Sequence, residues 1–263
     1  MLPFTERASG GEVVRTFVAG VPVDTIGLRE LIDLMVERAP MDRRDGIATL
    51  VFDCNGHALS LAARDVRYRL DLLSADIIHA DGQVIVAASR LYGSFLIPDR
   101  SATTDMFIDS LDAAKSAGVR YFLLGGTEEV NHACAAELDR RAPGLVVGRH
   151  HGFWSEAAEA DLIDQINAAQ PDVIWVGLGK PREQAFCVRH RMDIAGGWLV
   201  TCGGLFNFVT GHYPRAPKWM QTAGLEWLHR AITNPRLLWR YLVTNPHAMW
   251  LIWRHRRGSD ASR

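Results

Sequence analysis

Asp81 stands between Ala80 and Gly82, directly after the short apolar run Ile77–His79. A carboxylate at the end of a strand sits where a general base belongs, and Gly82 would let a substrate come close to the backbone. Aspartate is also a favoured helix N-cap, so spacing alone leaves both roles open. Asp53-Cys54-Asn55 closes the neighbouring run Ile47–Phe52. Asp53 and Cys54 fall on opposite faces of a strand end, so only one of them looks into a site. Asn55 carries an amide that suits sugar hydroxyls or, again, a helix cap. Arg100 precedes Thr104-Asp105, a capping pair expected to open a helix at Met106, and its guanidinium suits an anion or solvent.

Two glycine turns, Gly125-Gly126-Thr127 and Gly177-Leu178-Gly179-Lys180-Pro181, can direct backbone N–H groups toward a phosphate or a sugar edge, or can be ordinary tight turns. Neither matches the dinucleotide fingerprint or the P-loop, which argues against NAD enzymes and NTPases. Arg236 and Arg240 are four residues apart, hence on one helical face, with Arg230 on the preceding helix. Guanidinium groups match phosphate oxygens in pairs, so a diphosphate clamp makes chemical sense beside the plainer reading of a packed helix with a solvated arginine face. No Asp-x-Asp occurs, so arginine and backbone dipoles would have to neutralise a nucleotide sugar. His150-His151 is a weak metal pair, because adjacent side chains on an extended segment point apart and no third ligand is spaced to join them. Neither a metal nor another cofactor is expected.

The elements that must position these residues alternate. Val13–Val23 reads as a hairpin around Gly20, followed by a helix with Leu28, Leu31, Ile32 and Met35 on one face. Strands are expected at Ile47–Phe52, Ile77–His79, Tyr121–Leu124, Leu145–Val147, Val173–Val176 and Trp198–Thr201, most of them followed by a helical pattern. This order argues for an α/β fold, a mostly parallel sheet with helices on both faces, and such sheets bind ligands at the carboxyl ends of their strands. After Gly211 the strand signals stop. Helices are expected at Pro217–Thr222, Leu225–Ile232 and from Pro235, with Pro246 breaking or kinking the last. The expected division is a core over 1–211 and a helical appendage over 212–263.

With 48% apolar and 22% charged residues, the 263-residue chain is a folded globular one with length for a sizeable core. Its net charge of −1 conceals an asymmetry. From Tyr213 to Arg263 nine basic and two acidic residues give +7, leaving −8 on the body, and five of the eight tryptophans (Trp219, Trp227, Trp239, Trp250, Trp253) share that tail. Tryptophan and arginine together suit an anionic membrane surface. Nucleic acid is a poorer match, because the body is acidic and carries no basic strip with aromatics. The run Leu237–Trp253 is interrupted by Arg240, Asn245, Pro246 and His247, which makes it a poor membrane span. Four scattered cysteines fit a reducing compartment and no secretory signal is visible, so a cytoplasmic location is expected. An apolar body leaves room for a homo-oligomer.

Taken in order, Ala80-Asp81-Gly82, Pro98-Asp99-Arg100 with Thr104-Asp105, Phe122–Gly126, His151–Trp154, Pro171–Gln184, Gly203–Phe208, Arg215–Trp219, and Gly224–Arg230 with Asn234-Pro235-Arg236 and Arg240-Tyr241 resemble the WecG/TagA/CpsF family of bacterial glycosyltransferases. The resemblance spans about residues 12 to 245. It implies a Rossmann-like core of the GT-E type with a C-terminal appendage that docks on the inner face of the cytoplasmic membrane. It also implies an inverting, metal-independent hexosyltransferase that moves a sugar from a UDP-sugar to a polyprenyl-diphosphate-linked sugar in exopolysaccharide or surface-polymer synthesis, the sugar being N-acetylmannosamine, its uronic acid or glucose. Carried over by position, the aspartate base falls on Asp81. Asn55 would bind near a sugar, and Arg100 with Arg230, Arg236 and Arg240 would stabilise the diphosphate. Asp105 falls in a matching motif, as do Gly125, Gly126, Gly177, Gly179, Lys180 and Pro181. The family commonly has a small polar residue where this chain has Asp53, and Gln-Glu where it reads Glu183-Gln184, which leaves open which of those two faces the donor. The rival expectation from another class is a non-catalytic membrane-associated scaffold that binds nucleotide or lipid headgroups without turnover.

Overall fold

A computed structural model describes residues 14–217, 220, 228–229, 232 and 235–255, the side chains of 235–237 excepted. Strands β1 (Arg15–Val18) and β2 (Val21–Asp24) form an antiparallel hairpin. Its turn residues Ala19 and Gly20 both take positive φ, 50° and 80°, which matches the twist of the two strands. Strands β3 (Thr49–Cys54), β4 (Ile77–Ala80), β5 (Tyr121–Gly125), β6 (Val146–His150), β7 (Val173–Gly177) and β8 (Trp198–Thr201) build one parallel sheet in the order β4-β3-β8-β7-β5-β6. The hairpin sits beside the β4 edge, where the Asp24 carboxylate accepts the Ile78 N–H at 2.7 Å and the Arg15 guanidinium at 2.9 Å.

The helices are α1 (Leu28–Asp45), α2 (Gly56–Ala62), α3 (Val66–Leu73), α4 (Gln83–Tyr92), α5 (Thr103–Asp109), α6 (Leu111–Ser116), α7 (Glu128–Arg141), α8 (Glu159–Ala169), α9 (Arg182–Arg189), α10 (Leu205–Val209) and α11 (Pro235–His255). They cover both faces of the sheet, because its strands are apolar on both sides. Leu50, Phe52 and Ile78 point into one core with Ala58, Leu72, Phe186, Ala248 and Ile252. Val51, Ile77, Trp175 and Trp198 point into the other with Leu31, Met35, Phe107, Cys134 and Phe206. The α1 stripe Leu31, Ile32, Met35 and Ala39 is buried as its spacing requires.

Several local expectations are corrected. Ile47 forms only an isolated bridge with Ala195, and strand pairing begins at Thr49. Strand β6 runs on to His150. Helix α5 opens at Thr103 with Ala102 as its N-cap, and no side-chain capping bond is made there. The rings of His150 and His151 do not point apart: their centroids are 4.5 Å from each other. Helix α11 runs continuously through Pro246. Tyr241 and Thr244 before the proline and Ala248 and Ile252 after it are all buried, so packing on both sides outweighs the hydrogen bond that proline cannot donate. The helices expected at Pro217–Thr222 and Leu225–Ile232 lie largely outside the described residues.

Candidate active site

The carboxyl ends of β4, β3, β8 and β7 open on one cavity of about 730 Å³, where a parallel sheet is expected to hold a ligand. Asp53, Asn55, Asp81, Arg100, Gly179, Lys180, Glu183 and Arg240 all line it. Helix α11 crosses over α2 to complete the lining with Tyr241, Asn245 and Met249. The helices are held together by the buried Ala248 and by a 2.9 Å hydrogen bond between Ser60 Oγ and His247 Nδ1.

Asn55 fulfils both roles weighed for it. At the N-cap of α2 its Oδ1 accepts the Ala58 N–H at 3.1 Å, which fixes the amide orientation. The Nδ2 group then donates to Asp53 Oδ2 at 3.1 Å and to Asp81 Oδ2 at 3.0 Å. Asp81 does not cap the helix that follows it, since the N-cap of α4 is Gly82. Instead its Oδ1 accepts the Thr103 N–H at 3.0 Å, tying the end of β4 to the start of α5. Both of these bonds are accepted by the carboxylate. Of the pair at the end of β3, Asp53 lines the cavity while Cys54 is packed in the core.

Asp53 is the centre of a buried charge network. Thr201 Oγ1 donates to its Oδ1 at 3.0 Å, and the Lys180 ammonium reaches its Oδ2 at 2.5 Å. Lys180 Nζ also lies 3.6 Å from Glu183 Oε1. Glu183 Oε2 accepts the N–H groups of Gly179 at 2.9 Å and Gly203 at 3.0 Å. Burial pushes the Asp53 carboxyl up from its usual range, while Lys180 pulls it back. Burial likewise raises Glu183 to about 7 against the pull of Lys180. For Lys180 burial disfavours the charged form, but Asp53 and Glu183 outweigh it and hold the ammonium protonated. His57, on the cavity lining, is pushed down to about 4 by burial, with Lys180 and Arg240 adding to the shift, so it is neutral at neutral pH.

The cations lie elsewhere on the lining. Arg100 is 3.2 Å from Asp105 Oδ2, and Arg215 is 2.5 Å from Asp105 Oδ1. Asp105 is therefore the acidic link between two arginines and stands outside the cavity lining. Arg240 is exposed, its guanidinium carbon 5.1 Å from the centroid of the Tyr241 ring. Arg230 lies outside the described residues, as does the side chain of Arg236 in the first turn of α11.

Gly125, Gly126 and Gly177 are not among the cavity-lining residues. A Cβ on Gly125 would collide with the Gly177 carbonyl, and one on Gly177 would come within 2.9 Å of the Gly203 carbonyl, so these glycines let strand ends and turns approach closely. Pro181 follows Lys180 through a cis peptide and is the N-cap of α9. Glu183 lines the cavity; Gln184 is buried beside it, with Nε2 3.5 Å from Glu183 Oε1. Reading by residue type missed Thr201, Thr103 and His57. The polar ending of the apolar run Trp198–Thr201 was the available signal for Thr201. Thr103 contributes its backbone N–H, which leaves no mark in side-chain chemistry.

The model of the glycosyl transferase WecG/TagA/CpsF family matches residues 16–262. The chain is also similar to the N-acetylglucosaminyldiphosphoundecaprenol N-acetyl-β-D-mannosaminyltransferase of Bacillus spizizenii (strain W23), 32% identical over 199 residues that cover 75% of this chain and 76% of that protein.

Proposed function

Because the chain belongs to the WecG/TagA/CpsF family of glycosyl transferases, we propose that it transfers a sugar from a UDP-sugar to a polyprenyl-diphosphate-linked sugar, with inversion and without a metal, in the synthesis of a surface polymer or exopolysaccharide. The observation that carries this reading is Asp81: an acceptor-only carboxylate, held by Asn55 and the Thr103 N–H, on the wall of a cavity that also presents Arg100 and Arg240.

In the proposed step the acceptor hydroxyl oxygen bonds to C1 of the donor sugar as its proton passes to Asp81. The bond from C1 to the diphosphate oxygen breaks, and UDP leaves with the electron pair. Charge grows on the diphosphate in the transition state, where Arg100 lowers its energy, while Arg240 binds the diphosphate equally before and during the step. Asp53, Asn55, Gly179, Lys180 and Glu183 bind the sugars or hold the groups that do. Arg230 and Arg236 join the diphosphate clamp, and Asp105 positions Arg100.

The segment from residue 212 onward serves as the membrane-docking appendage in this reading. Among the described residues no helix is long and apolar enough to cross a membrane. Helix α11 does expose Leu238, Trp239, Leu242, Met249, Trp250 and Trp253, and Arg254 stacks over Trp250 with its guanidinium carbon 5.1 Å from the ring centroid. Exposed tryptophan beside arginine suits the headgroup layer of an anionic bilayer, which supports docking at the inner face of the cytoplasmic membrane.

The test is a panel of UDP-sugars assayed with polyprenyl-diphosphate-linked N-acetylglucosamine and glucose, with and without a chelator. Release of UDP with formation of a lipid-linked disaccharide, unchanged by the chelator, is expected for at least one pair. No UDP release with any pair would leave a non-catalytic scaffold.

A further inference from the structure

The wall of the cavity beside Asp81 has an unusual charge balance. The Lys180 side chain is only 8% exposed, that of Asp53 6% and that of Glu183 0%. The Asp53 carboxylate accepts from the Thr201 hydroxyl, the Asn55 amide and the Lys180 ammonium. Glu183 Oε2 likewise accepts two backbone N–H groups. Lys180 sits between these two carboxylates, so its charge is already neutralised. Asp81, bound to the same Asn55 amide, adds a third carboxylate. Asp53 and Glu183 share one ammonium in a region shielded from water, where charge is weakly screened.

We propose that Asp53, Lys180 and Glu183 make this pocket selective for an uncharged sugar and against a uronate. The inference rests on the reading that donor and acceptor sugars meet at Asp81. A hexose presents hydroxyls there, which can donate to the remaining lone pairs of the carboxylates. A uronate instead brings a carboxylate that can only accept and that adds a negative charge beside an ammonium already shared by two carboxylates. Rejection by an unfavourable charge, rather than by a missing contact, is what separates the two sugars.

The experiment is calorimetric titration of the full-length protein with UDP, UDP-glucose, UDP-N-acetylmannosamine and UDP-glucuronate. UDP and at least one of the two neutral UDP-sugars are expected to bind, and UDP-glucuronate to bind at least tenfold more weakly than the better neutral one. The same titrations, all at pH 8.5 so that Glu183, raised to about 7, is ionised, should narrow that ratio at least threefold in Asp53→Asn and Glu183→Gln, because each then removes one negative charge; the second variant keeps an oxygen for the Gly179 and Gly203 N–H groups. Wild-type affinity for UDP-glucuronate equal to that for the neutral sugars would overturn the selectivity and leave the proposed transfer standing. A ratio unchanged in both variants would remove Asp53 and Glu183 as its cause. Failure of UDP and all UDP-sugars to bind would overturn the proposed donor, and the selectivity with it.

Discussion

The two sides of the cavity are built differently. On one side Asp53, Asn55, Asp81, Lys180 and Glu183 form a closed hydrogen-bonded network at strand ends, buried or half-buried. On the other, α11 contributes an exposed Arg240 and a row of exposed apolar side chains, and it is joined to the body through a second helix, α2. The first side is preorganised by the sheet, so its groups are in place before any ligand arrives. The second depends on how one helix docks. The difference predicts a division of labour: changes to the wall should alter turnover and stability, and changes to the helix side should alter binding.

Variants can break this division. The largest stability effect is expected from Glu183. Burial raises it to about 7, above the usual 4.5 of a glutamate, so its contribution to stability is fully present below the lower value and is lost as pH rises through the higher one. Between pH 4.5 and 8 the wild type should therefore lose on the order of 3 kcal/mol relative to Glu183→Gln, measured by denaturant unfolding. A difference that stays flat with pH would mean that Glu183 is not held in its raised state.

Asn55→Ala removes the α2 cap and both bonds to the carboxylates, and should cost about 2 kcal/mol of stability. Its kcat should fall more than its KM changes; the reverse pattern would place Asn55 on the binding side. Arg240→Ala should raise donor KM about tenfold with kcat within about threefold of wild type, as expected for lost binding energy shared by ground and transition states. An equal fall in kcat and kcat/KM would move Arg240 into transition-state stabilisation. The smallest effect is that of Ser60→Ala, which removes the bond to His247 and should cost about 1 kcal/mol, together with a modest rise in KM through looser docking of α11.

Much of this architecture could be read from residue order. Runs such as Tyr121–Leu124 and Val173–Val176, each followed by a helical pattern, led to a parallel sheet because strands buried on both faces must be continuously apolar. Asp81, Asp53, Asn55 and Lys180 were singled out because they end such runs. What could not be read was which of them touch. Lys180 and Asp53 are 127 residues apart and become an ion pair only because β8 lies between β3 and β7. The start of α5 was misplaced for a related reason. Thr104-Asp105 has the composition of a cap, but Asp105 is held by Arg100 and Arg215, and the Thr103 N–H is taken by Asp81 from another strand. Pro246 gave a local signal for a break that the burial of Tyr241, Thr244, Ala248 and Ile252 overrides.

The central claim is that the buried wall performs the chemistry through Asp81. It is tested most directly by the single-turnover rate of Asp81→Asn with saturating UDP-sugar and lipid-linked acceptor, alongside its UDP affinity and unfolding midpoint. The substitution keeps an oxygen for the Thr103 N–H and removes the base. The rate should fall roughly a thousandfold while UDP affinity stays within about threefold of wild type and the protein remains folded. Transfer at the wild-type rate by a folded Asp81→Asn protein would contradict the account.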